Sequence, residues 1–347
     1  MALLSLEQVR EGLAEPSILP QNLDFARQAI LLLQLSRDEL RRASFLDDRI
    51  RNPQTSGRWV QFEQIEQLIG ALAHVKPLHF IFHSGHVGST MISRLLDEAP
   101  GVLSLREPLA LRTLADAFDL RGEDFCLASP GQLDRLLNWF VVLWARGYAD
   151  TKTVVLKATS SVARLHPNLL NSAPHARAIY MNLKAESYLA TLLAGANSHL
   201  DLRGMAGERI RRLTRLIDAR SPTPLHAMSL GQIAAMTWAT ERLTQKQAEA
   251  GFPDRVLSID FDAFLGEPRQ YMHQITTHLQ IEAPSSFLND IENSPAFSQY
   301  SKAPEQGYTP LLRARILEQS RHDNAREIQA GLHWLEALRR AAPHIEF

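Results

Sequence analysis

The chain has 347 residues, 45% of them hydrophobic and 22% charged, with a formal net charge of -1. That length suits one large α/β domain or two modest ones, and the near-neutral balance gives no reason to expect nucleic acid or another polyanion as a partner. The single cysteine, Cys126, excludes an internal disulfide and a cysteine-based metal cluster, and no run approaches the roughly 18 apolar residues of a membrane span.

In chain order, residues 1–76 read as a helical extension or cap. Leu23, Phe25, Ala29, Ile30, Leu32 and Leu33 crowd one amphipathic stretch, and Trp59, Phe62, Ile65, Ile69 and Leu72 recur at helical spacing in another. Between them, DDRIRNPQTSGR is a polar loop with Asn-Pro and Ser-Gly turn signals. The start, MALLSLEQVREGLAEP, carries acidic residues where a secretory signal needs a long apolar run, so a soluble cytoplasmic protein is expected.

Residues 77–347 read as an α/β domain. Strands are expected at FIF (80–82), VLSL (102–105), TVVLKA (153–158), ARAIYMNL (176–183) and RVLSID (255–260). These runs are solid rather than alternating, as befits strands buried on both faces of a parallel sheet. The intervening LDRLLNWFVVLWARG, ERIRRLTRLID and IAAMTWATERLTQKQAEAG carry large apolar residues at a spacing of three or four, the mark of covering helices. The fold expected is α/β: a central, mostly parallel sheet covered by helices and P-loop-like. Loops at 221–226 and 293–310 are the expected covers, and Trp334, Leu335 and Leu338 sit in a closing helix.

The most informative stretch is HFIFHSGHVGSTMISRLLDEAPGVLSLREP, residues 79–108. An apolar strand runs through His83-Ser84-Gly85-His86-Val87-Gly88-Ser89-Thr90 into a helix that Pro100 and Gly101 close. Glycine tolerates positive φ and close ligand approach, and the first amides of the helix would favour an anion. The bland reading is a tight connection with Ser89 or Thr90 as a helix cap. An ATP or GTP loop needs G-x-x-x-x-G-K-[ST]; here Gly85 and Gly88 lie three apart and Ser89 stands where the lysine would be.

On these residues the sequence resembles the sulfotransferase family, whose members share a P-loop-like fold and move a sulfuryl group from PAPS to a hydroxyl or amine. Against the family's donor-cradling turn, Gly85 falls at the proline, His86 at the basic residue, Val87 at the serine, Gly88 at the glycine, and Ser89 and Thr90 at the hydroxyl pair. Glu107-Pro108, Val154-Val155-Leu156-Lys157, VLSIDFDAFLGEP (256–268) and Tyr300-Ser301-Lys302 match further elements in the same order, over roughly residues 77 to 342. The resemblance implies PAPS as donor, a small-molecule or peptide acceptor, and no metal. It implies Glu107 as the base, His83 as a second base candidate, and Lys157 and His86 as the charges meeting the leaving group. His86, unlike the family's basic residue, is charged only part of the time at neutral pH. The 3'-phosphate arginine position falls at Leu183 or Asn182; Lys184 is adjacent, Thr191 takes the serine position, and Lys302 is a further contact.

Each residue also has an ordinary reading. Lys157 would be a snorkelling lysine, Glu107 half of a structural ion pair, and His83 a satisfied core histidine. His74, His79, His83 and His86 cluster in sequence, but a strand and tight turn scatter their directions, so no zinc site is expected. Arg209, Arg211, Arg212 and Arg215 read as a solvated helix face, and Trp139, Phe140 and Trp144 as core. Two other functions stand beside sulfuryl transfer: a phosphotransferase with Asp260 as a magnesium-holding residue, or a scaffold without catalysis. A homo-oligomer is compatible with the sequence.

Overall fold

Five short, largely apolar runs become five parallel strands, the first four buried on both faces and the edge strand at 256–260 partly open, with Ser258 exposed. They are β5 (Leu78–His83), β6 (Val102–Arg106), β7 (Thr153–Lys157), β8 (Ala178–Asn182) and β9 (Val256–Asp260), in the order β6-β7-β5-β8-β9. The computed structural model describes residues 2–70, 72, 75–298 and 309–347. Alternate strand residues enter two separate cores. Phe80, Phe82, Leu156 and Tyr180 join one, and Ile81, Val155, Ile179 and Met181 the other.

The second core is closed by helices Ser89–Glu98, Ala185–Ala194, Ala196–Ile217, Leu230–Gly251 and Ala325–Ala341. The three helical segments expected from sequence lie in Pro130–Trp144, Ala196–Ile217 and Leu230–Gly251. Phe140 and Trp144 are fully buried and stack with ring centroids 4.9 Å apart, as core residues should. Among the described residues, no helix is long and apolar enough to cross a membrane.

The expectation of an all-helical N-terminus is overturned. Residues 18–34 and 56–61 form strands: β2 (Ile18–Asp24), β3 (Ala29–Gln34) and β4 (Ser56–Gln61), with the short β1 (Ala2–Leu3), make a four-stranded sheet ordered β1-β4-β3-β2. The apolar residues from Leu23 to Leu33 are split by a turn, in which Arg27 N donates to Asp24 Oδ1 and Gln28 takes φ 49°. Ile30 to Leu33 are all fully buried, so this short solid run has no helical polar face, a pattern that periodicity alone does not separate from a strand. Helices do occur at Leu6–Gly12, Arg37–Arg42 and Phe62–Ile69, the last holding Phe62, Ile65 and Ile69 as expected.

This smaller sheet shares the first core with the parallel sheet. Two buried arginines tie it down by donating to backbone carbonyls. Arg146 binds the carbonyls of Leu143, Leu13, Glu15 and Ile18, and Arg106 binds those of Leu40, Arg41 and Ala43. Leu46 N in turn donates to Arg106 O at 2.7 Å, which lays residues 43–50 along the end of β6.

Candidate active site

Because all five strands of the larger sheet are parallel, their C-terminal ends meet at one edge, where open α/β sheets gather ligands. The central β5 runs into the glycine turn. Register places Lys157 of β7 opposite both Ile81 and Arg106, so Lys157 and the residue after Arg106, Glu107, arrive side by side.

The turn is strained where it should be permissive. Gly85, His86 and Gly88 have φ of 91°, 56° and 67°. A Cβ on Gly88 would overlap the Phe261 ring, so the position admits only glycine. Gly88 caps the helix Ser89–Glu98 without a side-chain partner, and the first intrahelical bond runs from Ile92 N to Gly88 O at 3.2 Å. The amides of Ser89, Thr90 and Met91 thus lack intrahelical acceptors. Ser84, 2% exposed, keeps a hydroxyl with no hydrogen-bond partner among the described residues, while its carbonyl accepts from the Tyr188 hydroxyl at 2.6 Å.

Lys157, 1% exposed, donates to Glu107 Oε1 in a close ion pair, and Glu107 N donates to Lys157 O at 2.8 Å. Burial pushes the Lys157 ammonium below its ordinary pKa, with Glu107 opposing that shift. Glu107 holds φ at 54°, a left-handed conformation costly for a residue with a Cβ. Phe45 roofs the pair, its ring centroid 5.7 Å from Lys157 Nζ and 3.6 Å from the Arg49 guanidinium carbon.

His83 lies in the same cluster, with Nε2 3.8 Å from Glu107 Oε1. Its Nδ1 accepts from Gly85 N at 3.1 Å, which assigns the ring proton to Nε2, 2.8 Å from Ala158 O. This ring braces the turn against β7. Of the residues expected at the site, the edge brings together His83, Gly85, His86, Val87, Gly88, Ser89, Thr90, Glu107 and Lys157.

Of the residues expected at the 3'-phosphate, those at 182–184 and 191 are described. Leu183 is buried and its carbonyl accepts from Trp238 Nε1, while Asn182 donates to Gln245. Lys184 is exposed, and the Thr191 hydroxyl donates to Ser187 O at 2.7 Å within its own helix. Lys302, like Tyr300, Ser301 and His74, lies outside the described residues. Asp260 Oδ1 accepts from Ala263 N at 2.9 Å and so caps the following helix.

The arginine stripe is a second correction. Arg211 and Arg215 are exposed, but Arg209 and Arg212 are 6% and 9% exposed. Arg212 pairs with the fully buried Glu241 and lies 3.5 Å from Glu208, which Arg164 approaches at 3.8 Å. Sequence reasoning missed Glu241, Tyr188, Phe45 and Arg49. Glu241 alone carried a signal: it sits three residues from Trp238 on the buried stripe of its helix, where a charge needs a partner.

His79 Nδ1 accepts from Arg177 N at 3.0 Å, and burial pushes its pKa down to about 4. Among the described residues, no three His, Cys, Asp or Glu side chains are arranged to hold a metal. Two surface clefts lie away from the turn, one beside Gly266, Glu267 and His273 and one beside Pro100 and Lys152. Glu267 and Arg269 of the first are exposed.

No protein-family model matches the chain, and no curated protein matches it. Solved structures similar to it include a sulfotransferase from Alicyclobacillus acidocaldarius, at 15% identity and a TM-score of 0.38, over 75% of this chain and 97% of that one. The sulfotransferase domain of the Synechococcus PCC 7002 olefin synthase is similar at 17% identity and a TM-score of 0.37, over 76% and 96%. Mouse sulfotransferase SULT7A1, solved with PAP, is similar at 10% identity and a TM-score of 0.35, over 79% and 94%. At such scores these likenesses name what the chain resembles, a set of sulfotransferases, and the chemistry rests on the chain's own residues.

Proposed function

We propose that this chain is a sulfotransferase-like enzyme of P-loop-like fold that moves a sulfuryl group from PAPS to a hydroxyl or amine of a small molecule or modified peptide. The observation that carries the reading is the buried Lys157–Glu107 pair set beside a turn whose positive-φ residues and uncapped helix amides favour an oxyanion. The unpartnered Ser84 hydroxyl fits the same ligand, since a buried donor without an acceptor suits an anion's oxygen.

In the transfer, an acceptor oxygen or nitrogen forms a bond to sulfur as the bond from sulfur to the leaving phosphate oxygen breaks. Lys157 engages Glu107 Oε1, and Oε2 is the atom to take the proton lost by the acceptor. The Lys157 ammonium, the amides of the turn and His86 meet the negative charge that grows on the leaving oxygen. The protein is expected in the cytoplasm.

The test is transfer of labelled sulfate from PAPS to a panel of hydroxyl and amine acceptors, with Glu107→Gln as control. Turnover in the wild type and a loss of about 100-fold or more in the variant support the reading. Absence of transfer together with absence of PAP binding in calorimetry sinks the donor assignment. Stabilisation by magnesium-ATP but not PAP would move the chain to the phosphotransferases.

A further inference from the structure

Arg209 is buried to 6% exposure, and its Nε has no hydrogen-bond partner among the described residues. A buried guanidinium nitrogen without an acceptor is costly, so native proteins seldom leave one unless something else arrives. One turn along the same helix face, Arg212 has Glu241 and Glu208. Arg209 has neither.

The position of that helix gives the direction. Arg212 Nη1 donates to Ser161 O at 3.4 Å, and a Cβ on Gly85 would lie 3.4 Å from the Ser160 side chain. The same Cβ would be 3.9 Å from the Tyr188 hydroxyl, which donates to Ser84 O. Ser160, Ser161, Tyr188 and the Ser84–Gly85 peptide are therefore contiguous with the buried arginine face. Burial raises the pKa of the Tyr188 hydroxyl, and the charge of Arg209 opposes that rise. Ser84 Oγ, 2% exposed and also unpartnered, sits where the turn begins.

We propose that Arg209, with the Ser84 hydroxyl, forms a second oxyanion contact of the glycine-turn site, holding a phosphate group of the donor from the Tyr188 side. This deepens the sulfuryl-transfer reading and rests on it for the donor's identity. It gives the site the arginine that is missing at positions 182 and 183, from a helix further along the chain. A competing partner is Glu241, whose Oε2 also lacks a hydrogen bond among the described residues and which feels the charge of Arg209.

Calorimetric titration of the full chain with PAP and with inorganic pyrophosphate, alongside melting curves, tests the assignment. The variants are Arg209→Gln, Arg209→Lys, Ser84→Ala, and Arg211→Gln as an exposed control of the same charge change. A charge-assisted contact predicts that Arg209→Gln weakens binding roughly 10- to 150-fold, that Arg209→Lys recovers part of it, and that Arg211→Gln binds as the wild type does. Free Arg209→Gln should melt no lower than the wild type, because an uncompensated buried charge has been removed. Undiminished PAP affinity in Arg209→Gln with a lowered melting temperature overturns the proposal and makes Arg209 a counter-charge for Glu241. Pyrophosphate bound through Arg209 without PAP binding keeps the contact and removes the PAPS donor. PAP bound independently of Arg209, with transfer intact, removes the contact and keeps the donor. No binding of either ligand removes both.

Discussion

The Lys157 ammonium and the Glu107 carboxylate form an ion pair whose two backbones are also bonded, Glu107 N donating to Lys157 O at 2.8 Å. The strand pairing of β6 with β7 therefore fixes the side-chain pair, and neither partner can drift without breaking the ladder. A lysine held this way, 1% exposed and with its pKa lowered by burial, is an expensive arrangement to maintain for stability alone.

Removing Lys157 should separate the structural from the chemical role. Lys157→Met leaves Glu107 partly buried and alone, and is expected to cost roughly 3 kcal/mol in denaturant unfolding. The double variant Lys157→Met with Glu107→Gln should regain at least about 1 kcal/mol of that, a coupling readable from the double-mutant cycle. Transfer activity should be lost in both. Simple additivity in the cycle would mean that the pair is not formed in solution.

Gly88→Ala should be severely destabilising for two independent reasons. The new methyl meets the Phe261 ring, and the residue must hold φ 67° with a Cβ present. The backbone part alone is on the order of 1 kcal/mol, and the overlap adds typically about 1–3 kcal/mol. Gly204→Ala, a helical position with nothing within 4 Å of the added methyl, should be neutral or stabilising by comparison. Equal melting temperatures for the two would contradict the turn's geometry.

Arg146 satisfies four carbonyls from two separate parts of the chain, so Arg146→Met strands them all. A loss of roughly 3–5 kcal/mol is expected. Limited proteolysis should find its first new cuts between residues 12 and 20, where three of those carbonyls lie. Cuts confined to other parts of the chain would show that Arg146 does not hold this segment.

Acid should act through two buried histidines. Burial lowers the pKa of both His79 and His166 from 6.5 to about 4, so the unfolded chain binds their protons first as pH falls. The stability they contribute is complete above pH 6.5 and is lost on descending toward pH 4, by roughly 3 kcal/mol for each ring. Asp97 and Glu241, whose pKa values burial raises, act in the opposite sense, so the comparison must be between variants. His79→Asn keeps an acceptor for Arg177 N and should flatten the loss between pH 6.5 and 4. An unchanged slope would place the proton uptake elsewhere.

The five parallel strands were legible because solid apolar runs flanked by turn residues have few other uses, and the turn at 84–88 was legible from its glycines. The N-terminal sheet was not. Ile30 to Leu33 offer no polar face, and the reversal at Asp24–Gln28 uses an aspartate and a positive-φ glutamine instead of an Asn-Gly or Pro signal. At the site, the strand ends named Lys157 and Glu107, but their contact depends on strand order, which the sequence does not state. Arg212 read as surface because its partner Glu241 lies about thirty residues away, on another helix.

Phe45 has a consequence for the whole edge. Its ring sits over Lys157 and under Arg49, and it belongs to the segment that Arg106 clasps. An aromatic side chain from the segment beside the smaller sheet thus helps to bury an ammonium on the larger one, and burial is what lowers that ammonium's pKa. A chain beginning at residue 77 would hydrate that ammonium and return it toward ordinary basicity, even if the remaining strands held their order.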